Sequence, residues 1–158
     1  MYGELLRIKI HREQNAGQAV RRQQQVVEQQ VQMVQQARQE VVQFREYRIQ
    51  KEQQLFDEIK GQLVALRAIE TMNQNIAALR EQEALLETRI LEEEKRLKEA
   101  QKALEEARQR HQATIREREK FDQFVEVQQA IENREQMMKE ENELEEIASA
   151  AHQSRQEA

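Results

Sequence analysis

Apolar residues return along this chain at intervals of three, four and seven, and polar residues fill the rest. Between Leu79 and Phe121 they fall at Leu79, Leu86, Ile90, Leu97, Ala100, Leu104, Ala107 and Phe121. This is the a/d row of a heptad repeat, sustained for about six heptads. A row this narrow covers one stripe of a helix and has to be buried against another helix. The intervening runs, such as EEEKRLKEAQKALEEARQR, are built from strong helix formers. Glu92 with Arg96, Glu94 with Lys98 and Glu99 with Lys102 have the spacing of ion pairs on an exposed helix face.

The earlier part of the chain carries a second row. Leu5, Leu6, Ile8 and Ile10 open it, and Val20, Val27, Val34 and Val41 recur at sevens, with Val31, Ala37 and Phe44 at intermediate positions. The first 60 residues hold 15 glutamines, so the outer face is polar but mostly uncharged. Valines at helical period argue against a prion-like reading of that stretch. Because valine is β-branched and lowers helix propensity, packing has to stabilise this row. Its phase is lost near Tyr47–Lys51 and resumes at Leu55, Ile59, Leu66 and Ile69.

Gly61, with Lys60 before it, suits a helix C-terminus closed by a left-handed residue. Thr71 and Gln74 have the spacing of a capping box. The prediction is all-α: a long antiparallel two-helix coiled-coil hairpin. Helix one covers about 4–59, the turn lies within 60–72, helix two covers about 72–150, and an acidic tail occupies 128–158. Antiparallel pairing about residue 66 sets Val34 beside Lys98 and Val27 beside Glu105. At 1.5 Å per residue the helices would span roughly 85 Å and roughly 120 to 130 Å, so the second overhangs the first.

Composition narrows the function classes. The chain has 158 residues, with no proline, no cysteine and three glycines, and 35% of it is charged. Such a composition belongs to coiled coils rather than globular cores. Without cysteine there is no disulfide frame or thiolate chemistry. His11, His111 and His152 are isolated in sequence, and His111 reads as a seam histidine rather than a metal ligand. Three scattered glycines cannot build a phosphate loop. A bare two-helix structure offers no water-excluded pocket, so no enzyme and no cofactor are expected. The opening MYGELLRIKIHRE is too short and charged for a signal-peptide core, and no run reaches the roughly 18 apolar residues of a membrane span. The expectation is a soluble cytoplasmic protein, monomeric when alone, without nucleic acid or membrane as a partner.

Charge is unevenly placed. Residues 1–60 carry 10 basic and 8 acidic side chains, against 15 and 22 in residues 61–158. Two candidate partner surfaces follow. One is a basic band of Arg7, Lys9, Arg12, Arg21 and Arg22 with Arg116, Arg118 and Lys120, beside Phe121 and Phe124, suited to an acidic ring or groove. The other is an apolar tip formed by Leu63, Val64, Leu66 and Ile69.

The segments LLRIKIHREQNA, KEQQLFDEIKG, IAALREQEALLE and EKFDQFVEVQQ, followed by an acidic tail, together resemble the YscO family of type III secretion proteins, which is similar to flagellar FliJ. The resemblance covers nearly the whole chain. It implies an antiparallel coiled coil like the central shaft of rotary ATPases, seated in the pore of a hexameric secretion ATPase. It further implies that the protein promotes ATP hydrolysis and links the ATPase to the cytoplasmic ring of the export gate at the base of the apparatus. Chaperones of secreted translocators are a further implied partner. The family supplies no catalytic residue. By position, the 7–12 and 116–124 segments match the part that enters the ATPase, and 60–72 the part that reaches the gate. A chaperone-binding adaptor and a parallel homodimeric scaffold are the competing readings.

Overall fold

The computed structural model describes residues 2–61 and 66–157. Helix α1 runs Tyr2–Ile59 and α2 runs Leu66–Glu157, packed against each other as an all-α helical hairpin. The contacts divide the chain into two compact units: Met1–Gly17 with Arg110–Ala158, here the terminal unit, and Gln18–Gln109, the turn unit.

In the turn unit the burial follows heptad spacing closely. Along α1 the inward row is Val20, Gln23, Val27, Gln30, Val34, Ala37, Val41, Phe44, Arg48, Leu55 and Ile59. Along α2 it is Met72, Ile76, Leu79, Glu83, Leu86, Ile90, Glu93, Leu97, Ala100, Leu104 and Ala107. Among the described residues, near-complete burial is confined to Val34, Ala37, Val41, Met72, Ala100, Leu104 and one acid, Glu93. Small Ala37, only 1% exposed, lets the backbones approach.

Several expectations need correcting. Val31 is exposed, and Gln23 and Gln30 hold the intermediate seam positions instead. The phase is not lost after Phe44; Arg48 continues the row as a charged side chain. Thr71 does not cap α2, because the helix already begins at Leu66; its hydroxyl donates to the Arg67 carbonyl oxygen at 2.9 Å, within the helix. Gly61 takes φ of +79°, the left-handed conformation that favours glycine after a helix. The paired helix ends thus flank a point a few residues before 66, which moves the register. Gln23 bonds the Ala100 carbonyl oxygen and Gln30 that of Glu93, so Val27 faces the 93–100 stretch rather than Glu105. Val34 falls between the Gln30–Glu93 and Arg38–Glu94 pairs, not beside Lys98. Glu94 reaches Arg38 on the other helix, and Arg96 bonds Glu93, so neither makes the pair its spacing within α2 suggested.

Two polar layers cross this unit. Gln30 donates its amide to the Glu93 carboxylate at 2.5 Å and to the Glu93 carbonyl oxygen at 3.0 Å. Arg96 adds a contact of 3.2 Å to the same carboxylate. The second layer is an ion network. Arg45 reaches Glu83 at 2.7 Å and Glu87 at 2.5 Å, Arg48 contacts Glu83 and Glu52, and Arg80 reaches Glu52 at 3.2 Å. The Arg45 hydrogen bond, outweighing partial burial, holds the Glu83 carboxyl below the ordinary carboxylate range. Burial pushes Glu52 the other way, but its bonds to Arg80 and Arg48 prevail and lower it too.

Two predictions follow from these layers. Gln30→Leu alone leaves Glu93 buried without its amide partner and should lower stability by about 1–3 kcal/mol in thermal or denaturant melts. Gln30→Leu with Glu93→Leu should regain that loss or exceed the parent, while relaxing the register. Because Glu83 and Glu52 titrate lower when folded, their contribution is present above the unfolded carboxylate range and fades as pH falls through their folded values. The melting temperature should therefore drop on acidification below about pH 4, and Glu83→Gln should flatten that dependence.

Candidate functional site

No helix among the described residues is long and apolar enough to cross a membrane. The terminal unit gathers most of the basic band. Its seam is Tyr2, Leu6, Lys9, Glu13, Ala16 and Gly17 on α1, facing His111, Thr114, Ile115, Arg118, Phe121, Asp122 and Val125 on α2. Gly17 allows one close approach: a Cβ there would lie 3.3 Å from His111 Nε2. The His111 ring therefore packs on bare backbone, which accounts for a glycine inside a helix that would otherwise favour alanine by about 1 kcal/mol.

An aromatic cluster closes this unit. The Tyr2 ring meets Phe121 at 6.5 Å and Phe124 at 5.8 Å, both edge-on, and the two phenylalanines lie 6.2 Å apart. Edge-to-face packing matches the electrostatics of aromatic rings. Phe121 is half-buried, while Phe124 remains 46% exposed.

The basic residues divide into two sets. Lys9 turns inward: its ammonium lies 5.7 Å over the Phe121 ring and 4.0 Å from Glu117. Arg118 also turns inward, bonding Glu13 and, at 3.0 Å, Asp122. The Glu13 bond raises the Arg118 guanidinium further above its ordinary value, against the opposing effect of burial. Arg7, Arg12, Arg116 and Lys120 are exposed and, among the described residues, have no acidic partner within salt-bridge distance. Of the sequence-derived band, these four are the cations the terminal unit leaves open for a partner. Arg21 and Arg22 are exposed too, but they belong to the turn unit.

The apolar tip is only partly in view. Leu63 and Val64 lie outside the described residues. Leu66 is 72% exposed and Ile69 37%. Sequence reasoning missed a companion row: Val42, Ile49 and Phe56 recur at sevens on α1 and are all more than half exposed. Their spacing was available as a signal, but the valine row beside it took the seam assignment. Tyr47, Leu55, Ala78 and Leu79 line a shallow groove between the helices of this unit, and Leu55, Ile59, Ala68 and Met72 line another.

The comparisons with known proteins bear on what these surfaces serve. The family model of "Type III secretion protein YscO" matches residues 3–150. A solved structure, the 2.8 Å crystal structure of type III secretion protein YscO from Vibrio parahaemolyticus, is similar with a TM-score of 0.87 and 34% sequence identity. The match covers 92% of this chain and 92% of that one. No curated protein sequence matches the chain. With the family model spanning nearly all of both helices, and a solved member superposing along them, this chain belongs to the YscO family of type III secretion proteins.

Proposed function

We propose that this protein is the non-enzymatic central stalk of a bacterial type III secretion system. In this reading it inserts into the pore of the hexameric secretion ATPase, promotes ATP hydrolysis and links the ATPase to the cytoplasmic ring of the export gate. The protein works in the cytoplasm at the base of the apparatus, and chaperones of secreted translocators are a further partner. Membership of the YscO family is the observation that carries the reading.

The two units fit the two ends of that role. The terminal unit offers open cations at Arg7, Arg12, Arg116 and Lys120 beside an aromatic cluster, a chemistry suited to an acidic pore lining. The turn unit offers the exposed apolar residues Leu66, Ile69 and Phe56, suited to the gate ring. Lys9 and Arg118 serve the fold more than the pore, because each is spent on a contact within the hairpin. A two-helix shaft has no six-fold symmetry, so inside a ring it touches only some subunits at once. It can thereby favour different conformations in different subunits.

The test is ATP hydrolysis by the cognate hexameric ATPase with and without this protein. Stimulation should saturate near about one chain per six ATPase subunits, as one shaft per closed ring requires. Arg7→Glu with Arg12→Glu should cut stimulation roughly fivefold or more at low salt, with helicity and melting unchanged. Absence of stimulation by a helical, folded chain would instead favour a chaperone-binding adaptor.

A further inference from the structure

Beyond Gln128 the helix α2 continues to Glu157, and every described residue there is exposed. This stretch carries 8 acidic and 3 basic side chains. It is nonetheless amphipathic: Met137, Leu144 and Ile147 lie on one face, together with Glu140, and are 62–66% exposed. Helical residues with no tertiary contact are marginal in water, so an apolar row maintained there calls for a covering surface.

The terminal unit itself displays a surface of matching pattern. To one side of the seam, Leu5, Ile8 and Arg12 form an exposed row on α1, with both apolar residues 48% exposed. Read forward, this row is apolar, apolar, cation at steps of three and four. Read backward, the α2 row is Ile147, Leu144, Glu140: apolar, apolar, anion at the same steps. In an antiparallel coiled coil such rows mesh layer by layer. Around them, Arg7 and Arg12 meet a stretch that includes Glu141, Glu143 and Glu145. A parallel alignment of Leu5 on Leu144 would set Arg12 beside Ala151 and leave its charge without a counterpart. Pairing two copies of the acidic stretch with each other would bring like charges together.

We propose that the 137–147 face of α2 docks antiparallel on the 5–12 face of α1 in a second copy of this chain, with Ile147 on Leu5, Leu144 on Ile8 and Glu140 on Arg12. The contact joins two different faces, so it is heterologous: each copy gives one surface and keeps the other open. Residues 5–12 lie alongside α2 near Glu117. The copies therefore point the same way, staggered by about 25 residues, or ~37 Å along the helix. With so few apolar side chains in the contact, the association is weak. It covers Arg7 and Arg12, so a copy engaged in it cannot offer those cations elsewhere. The contact itself does not rest on the ATPase reading.

Sedimentation equilibrium on the full chain from about 10 to 500 µM at low salt tests this, at concentrations where weak contacts fill. The weight-average mass should climb above 18.9 kDa without levelling at twice that value, and should fall back as salt is raised. Leu144→Glu should hold the chain monomeric at unchanged helicity. Arg12→Glu and Glu140→Arg should each weaken association at least about fivefold, and the two combined should restore it, as a direct charge pair requires. A constant monomer mass across the range, a plateau at a closed pair, or a double variant no better than the singles would each overturn the proposal.

Discussion

A narrow apolar stripe on a helix cannot be left in water, and everything else in this hairpin follows from covering it. Along the paired stretches each helix turns one residue in every three or four toward the other, and each supplies the other's missing partner. Among the described residues the buried apolar set is small: Val34, Ala37, Val41, Met72, Ala100 and Leu104. Apolar matching over so few side chains would tolerate slippage by a heptad, since a shifted row still meets a row. The polar layers remove that freedom. Gln30 finds both acceptors of Glu93 in one register only, and Arg45 reaches Glu83 and Glu87 together only when the helices are correctly aligned.

These layers are a device for specificity more than for strength. A buried ion or amide pair gains little over an apolar pair of the same size, but separating it strands a charge. In the terminal unit, the partly buried pair of Glu13 with Arg118 acts in the same way. The consequence for function is a sorting of cations. Those needed to align the hairpin face inward, and Arg7, Arg12, Arg116 and Lys120 stay available to a partner.

How much of this was legible in the sequence depended on whether a position's role matched its chemistry. Leucine, isoleucine and alanine at heptad spacing placed much of the α2 seam correctly, because there most inward residues are apolar; Glu83 and Glu93, inward but charged, were passed over. On α1 the correspondence fails. Gln23, Gln30 and Arg48 lie inward, while Val31, Val42 and Ile49 lie outward, so hydropathy alone chose Val31 and saw a break near Tyr47. Thr71 looked like a cap because threonine also serves helix interiors by bonding its own preceding turn. Gly61 was readable because only glycine takes its backbone angle without strain. The basic band was legible as a cluster, but which cations it spends internally depended on partners more than a hundred residues away in the chain.

The sparse core has a further consequence, in heat capacity. Apolar exposure on unfolding raises the heat capacity and polar exposure lowers it. A hairpin whose seam is interrupted by Gln30, Arg48, Glu83 and Glu93, and whose α2 is wholly exposed past Gln128, gains little apolar exposure per residue when it melts. Its stability curve is accordingly flat, changing gently with temperature rather than peaking sharply, so a hairpin built this way keeps much the same stability over a wide range of temperature.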